Sequence, residues 1–78
     1  MKIYIEDSKG KREPFYIDEN DSVLTLRNKA IDRLKIKNDV LFLFSGNILE
    51  DDEPLSTYDV EEGVTITYCG AFISGILY

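Results

Sequence analysis

The 78-residue sequence has no histidine, a single cysteine, Cys69, and no lysine or arginine beyond Lys37. Without histidine there is no side chain whose unperturbed titration falls near neutrality, so Ser-His-Asp, Cys-His and imidazole-metal chemistry are excluded. One cysteine forms no intramolecular disulfide and leaves a four-ligand zinc site without its ligands. Cys69 also lacks a basic neighbour or histidine to activate it, and reads as a small apolar sheet residue. The acids Asp51, Asp52 and Glu53 lack the ligand spacing and glycine of a calcium loop and read as a solvated turn. No catalytic residue, cofactor or metal is expected. No apolar run reaches the roughly 18 residues of a membrane span, and no basic cluster answers to nucleic acid or to an anionic lipid surface. An intracellular protein is the reading that remains.

The missing cations have an uneven distribution. Residues 1–38 hold all nine cations against seven acids, a charge of +2, whereas residues 39–78 hold eight acids and no cation, a charge of −8. Hydrophobic residues make up 44% of the chain, a globular composition, and a chain of this size buries roughly 60% of its unfolded surface, which suffices for one core.

Met1, Ile3 and Ile5 alternate with Lys2 and Tyr4, which is the period of a half-buried strand. A turn over Asp7-Ser8-Lys9-Gly10 leads into a second strand, Lys11 to Ile17. Pro14 removes a ladder donor there and makes it an edge strand. Asp21 or Ser22 caps a helix that begins near Val23, and Val23, Leu26, Ala30 and Leu34 form its apolar face, with Arg27, Asn28, Lys29 and Arg33 between them. The block Val40-Leu41-Phe42-Leu43-Phe44 reads as a strand, Ser45-Gly46 turns it into a brief strand over Asn47-Ile48-Leu49, and Val64 to Tyr68 alternates as the last strand. Two strands, a helix and further strands predict an α+β roll, one helix covering a mixed sheet of four to five strands.

The run Leu43-Phe44-Ser45-Gly46-Asn47-Ile48-Leu49-Glu50-Asp51, followed by Leu55-Ser56-Thr57-Tyr58-Asp59-Val60, resembles the pattern LxFxGxxLED…LSxYxI/V of the ubiquitin family. Met1 to Ile5, the turn ending in Gly10-Lys11, and Lys29 and Asp32 match it as well, so the resemblance covers residues 1 to about 69 with one deletion near Asn38. It implies a β-grasp roll, a Tyr58 hydroxyl bonded to backbone near Glu50, a tight turn at Gly46 and positive φ at Gly63. Two departures stand out. Glu13 occupies a position where the family prefers an aliphatic, and Leu34 one where ubiquitin is acidic, which reads as a compensating exchange with Glu13 reaching solvent or a lysine.

Family members of this kind dock protein partners through an apolar patch on the solvent side of the sheet. If Phe42 and Phe44 face the helix, Leu41 and Leu43 face outward. Leu43 matches the centre of the patch, and Ile48, Cys69, Thr67, Gly46 and Ser8 complete it. Conjugation through a C-terminal Gly-Gly is not expected, because Gly70 is followed by the apolar segment Ala71-Phe72-Ile73-Ser74-Gly75-Ile76-Leu77-Tyr78. Residues 1–70 are therefore read as the domain and 71–78 as a tail. Phe72, Ile73, Ile76, Leu77 and Tyr78 have four open fates: covering the patch, pairing with a second copy as a homodimer, leading into a longer protein, or standing free to take up a partner.

The resemblance implies a non-catalytic interaction module whose partners are proteins such as a proteasomal receptor or a ubiquitin-system enzyme. The alternatives are a free-standing modifier that needs its tail removed and a self-assembling scaffold. The −8 of the second half predicts a patch rim that is neutral to acidic.

Overall fold

The computed structural model describes residues 1–70 and the backbone of Phe72–Ile73 and Ile76–Leu77. Chain order is β1 (Lys2–Glu6), β2 (Arg12–Tyr16), α1 (Val23–Leu34), β3 (Leu41–Phe44), β4 (Asn47–Ile48), a 3-10 turn at Leu55–Tyr58 and β5 (Thr65–Cys69). These strands form one five-stranded sheet in the order β2-β1-β5-β3-β4. The sheet is mixed: β1 and β5 are parallel, Ile5 opposite Ile66, while the β1–β2, β3–β5 and β3–β4 pairs are antiparallel. With one helix on one face, this is the β-grasp roll that the sequence implies. As predicted, the strand with Pro14 lies at an edge, where a missing donor costs no ladder bond.

The backbone of β6 (Phe72–Ile73) pairs antiparallel with that of β7 (Ile76–Leu77) in a separate two-stranded sheet. The roles expected of Phe72, Ile73, Ile76, Leu77 and Tyr78 fall outside the described residues.

Local chemistry sets the joints. Ser22, rather than Asp21, caps α1: its Oγ accepts from the Thr25 amide at 3.2 Å. Asp21 works in the preceding turn, where its carboxylate accepts from the Asp18 amide. Lys35 ends the helix in the left-handed conformation, φ 58°, and its amide donates to the Ile31 carbonyl. Ser45 and Gly46 both have positive φ, 50° and 78°, as a two-residue turn matched to strand twist demands.

The core gathers Ile3 and Ile5 from β1, Phe15 from β2, Val23, Leu26 and Ala30 from α1, Phe42 from β3 and Ile66 from β5. Leu49, Leu55 and Val60 close it from below, a contribution that strand and helix periods did not foretell because these residues lie outside the long elements. Glu13 pairs with Lys11 at 3.6 Å and Arg33 at 3.5 Å, and it lines one small recess with Leu34. The expected exchange thus places the two residues as neighbours and gives the carboxylate two cations.

The Tyr58 hydroxyl accepts from the Glu50 amide at 3.0 Å, tying the 3-10 turn to the end of the β4 segment. One hydrogen bond of this kind contributes about 1 kcal/mol. Tyr58→Phe is expected to lower the unfolding free energy by that amount in urea titration; an unchanged midpoint would show that the bond contributes nothing net.

Candidate functional site

The sheet's second face is built by strand alternation. Ile3, Ile5, Phe42 and Ile66 are buried toward α1, so their neighbours Lys2, Tyr4, Glu6, Leu41, Leu43, Thr65, Thr67 and Cys69 point away from it. Register then decides which of these meet. Ile48 lies opposite Leu43, Leu43 opposite Thr67, and Thr67 opposite Glu6, which makes one row across four strands. Leu41 lies opposite Cys69 in the next row along β3 and β5. The Thr67 hydroxyl donates to the Leu43 carbonyl at 3.4 Å, so the polar member of the row turns toward backbone.

Five of the seven residues singled out from sequence, Leu41, Leu43, Ile48, Thr67 and Cys69, therefore form one surface. Ile48 is its most exposed apolar member at 56%, with Leu41, Leu43 and Cys69 half-buried. Gly46 sits at the β3–β4 turn beside this surface. Ser8 is on the β1–β2 turn and borders Cys69 at the far end, across a groove rather than within the apolar rows.

Two features escaped sequence reading. Arg27, taken there as one of the polar residues between the apolar positions, is 7% exposed. Its Nε donates to Asp51 Oδ1 at 2.9 Å and its Nη1 donates to the Asn38 and Val40 carbonyls at 2.7 and 2.6 Å. The guanidinium also lies 5.0 Å from the Phe42 ring centre. One side chain thus fixes the segment that leads into β3 and so the height at which Leu41 and Leu43 stand. The signal was in the spacing: position 27 follows Val23 by four and precedes Ala30 by three, which places it on the apolar face of α1.

The second is the rim. The purely anionic second half predicted a neutral to acidic border; the sheet face itself carries Glu6, while cations of the first half stand at two of its edges. Lys9, Lys35 and Lys37, all from the first half, line the groove at the Cys69 end. Lys2 and Arg12 approach the Tyr4 ring at 5.2 and 4.4 Å on the β1–β2 side of the same face. Charge in the sequence halves does not map onto charge in space, because the β1–β2 turn and the segment after α1 both come to the end of β5.

Among the described residues no group of three or more Cys, Asp or Glu converges as a metal site, and no helix is long and apolar enough to cross a membrane.

The model of the ubiquitin family matches residues 3–71. Ubiquilin-1 of Homo sapiens and of Pongo abelii are each 36% identical to the chain over 67 residues, which is 85% of this chain and 11% of the ubiquilin. Ubiquilin-1 of Rattus norvegicus gives the same identity and coverage. The chain thus spans about 11% of the length of these relatives. The five-stranded roll, the Tyr58 anchor, the Ser45-Gly46 turn and these matches converge: the chain belongs to the ubiquitin family.

Proposed function

We propose that this domain is a non-catalytic docking module that binds protein partners of the ubiquitin–proteasome system through the outer face of its sheet. The observation that carries the reading is the row Ile48–Leu43–Thr67, with Leu41 and Cys69 beside it: apolar side chains left at the surface of a domain whose helix covers only the opposite face. Exposed contiguous apolar area of this kind marks an interface. Burial of Leu41, Leu43 and Ile48 supplies the affinity, and the charged border tunes specificity and encounter rate. An intracellular setting goes with this reading. A proteasomal receptor or a ubiquitin-system enzyme is the partner class it names.

The test is titration of the isotope-labelled chain with a proteasomal ubiquitin receptor, with and without Leu43→Ala. The resonances of Leu41, Leu43, Ile48 and Cys69 are expected to move, and the variant to bind about tenfold more weakly, as truncation at the centre of an interface does. Equal affinity of variant and parent would place docking elsewhere.

A further inference from the structure

A strand at the edge of an open sheet offers its outward N–H and C=O groups to any further strand that meets it. The edges of the five-stranded sheet are β2 and β4. β4 has only the two residues Asn47–Ile48, too few to template a partner, whereas β2 has five, Arg12–Tyr16. Register fixes which of its groups face out. The Asp7 amide donates to the Lys11 carbonyl and the Ile17 amide to the Met1 carbonyl across the β1–β2 pair. By antiparallel alternation, Glu13 and Phe15 then direct their backbone groups to β1, while Arg12, Pro14 and Tyr16 direct theirs away from the sheet.

Pro14 brings no outward N–H. Its carbonyl accepts from Arg33 Nη1 at 2.6 Å, and the Tyr16 carbonyl accepts from Lys29 Nζ at 3.1 Å. Cations of α1 thus hold two of the three outward carbonyls. The fit is one of spacing: residues 29 and 33 are about 6 Å apart along α1, and residues 14 and 16 are about 7 Å apart along β2. With the helix antiparallel to the strand, each donor meets one acceptor. Arg33 is braced further, its guanidinium lying 4.4 Å from the Phe15 ring centre and 3.5 Å from the Glu13 carboxylate. Both cations are exposed, so the contacts add little to stability, and their effect falls on the edge itself.

We propose that Lys29 and Arg33 are a built-in guard on the β2 edge, holding it shut against strand addition by β2 of a second copy of this chain. The excluded occupant follows from the strand's own sequence. With two copies antiparallel and Pro14 opposite Pro14, Arg12 of each stands opposite Tyr16 of the other, and these residues exchange N–H···O bonds at both ends of the register. The Tyr16 ring, 67% exposed, then meets the Arg12 guanidinium of the other copy as a cation–π pair. Each such exchange needs the Tyr16 carbonyl as an acceptor, and Lys29 occupies it. The inference does not rest on the docking role of the Leu43 face, which looks out from the sheet rather than along its plane.

The experiment is sedimentation equilibrium of the full chain over a concentration series, with amide exchange measured on the same samples. The parent is expected to keep the monomer mass throughout, and to keep it in about 1 M salt, where charges more than about 3 Å apart are screened. Lys29→Met combined with Arg33→Met keeps an apolar stem over Phe15 and removes both donors. Its average mass is expected to rise toward twice that of the monomer, and its Arg12 and Tyr16 amides to exchange about tenfold more slowly in the associated form. Tyr16→Pro added to this pair removes an outward donor without touching the β1–β2 ladder, and is expected to restore the monomer. Lys29→Met alone, which leaves the Arg33 contacts in place, gives the reading if the pair does not fold. A folded methionine variant that stays monomeric would overturn the proposal. So would association that leaves Arg12 and Tyr16 exchange unchanged, which would put the contact on another surface, or that disappears with Leu43→Ala, which would put it on the sheet face. Association of the parent in salt would overturn it as well, by showing that repulsion alone, rather than carbonyl capping, keeps the copies apart.

Discussion

Arg27→Ala is expected to destabilise the domain by about 3–5 kcal/mol, a large part of the roughly 5–15 kcal/mol that holds a small domain folded. The cost has three parts. The Asn38 and Val40 carbonyls lose their donor, and the buried one, that of Val40, costs about 1–3 kcal/mol when left unpaired. The methylene stem leaves a void beside Phe42, and the guanidinium's contact with that ring is lost. The ion pair to Asp51 contributes least, because the Asp51 side chain is 46% exposed and the pair is partly screened by water.

Two further variants separate these three parts. Arg27→Met keeps the stem and removes the donors, so it should recover about 1–2 kcal/mol of the loss. Asp51→Asn removes only the charge of the partner and should cost under about 1 kcal/mol. Urea unfolding of the three variants checks the order. A cost for Asp51→Asn equal to that of Arg27→Ala would show that the ion pair, not carbonyl satisfaction, is the term that matters. Because the two carbonyls belong to the approach to β3, amide exchange at Leu41 and Leu43 should also accelerate in Arg27→Ala more than exchange in β1.

Phe42→Ala is expected to cost a similar 3–5 kcal/mol, as truncation of a fully buried phenylalanine does. Its ring is inaccessible to solvent and lies 5.0 Å from the Arg27 guanidinium and 6.3 Å, centre to centre, from the Tyr68 ring. Thermal melts should show the loss. The neighbouring Leu43→Ala, one residue on and on the opposite face, should change stability by less than Phe42→Ala does, since its side chain is only partly buried. Two adjacent truncations with opposite outcomes, one on folding and one on binding, test the strand phase directly. Comparable destabilisation by both would mean that Leu43 is covered in solution, and the sheet face would then be unavailable for docking.

Much of the site was legible because strands and register obey short-range rules. Once Phe42 was placed toward the helix, period-two alternation put Leu41 and Leu43 outside, and the pattern around Gly46 placed Ile48 on the adjacent strand. The buried faces of β1, α1 and β5 followed from the same alternation and from the 3, 4, 4 spacing on α1. Arg27 was missed for the opposite reason. Its residue type argues for solvent and its position for the core, and a charged side chain on an apolar face is buried only when distant groups receive it. The receivers here, the carbonyls of Asn38 and Val40, are backbone atoms that no composition or spacing announces.

The charge distribution shows the same division. The sequence by itself determined that nine cations precede residue 39 and that eight acids stand from residue 39 onward without one, that no histidine lies in these 78 residues, and that one helix must cover one sheet. It did not determine where the cations stand. Antiparallel and parallel pairing fold the turn with Lys9 and the helix exit with Lys35 and Lys37 around the end of β5, so cations of the first half line a groove beside a strand of the purely anionic half. Local propensities fix elements within a few residues, whereas electrostatic neighbourhoods come from contacts between residues far apart in the chain, and only the tertiary structure makes those.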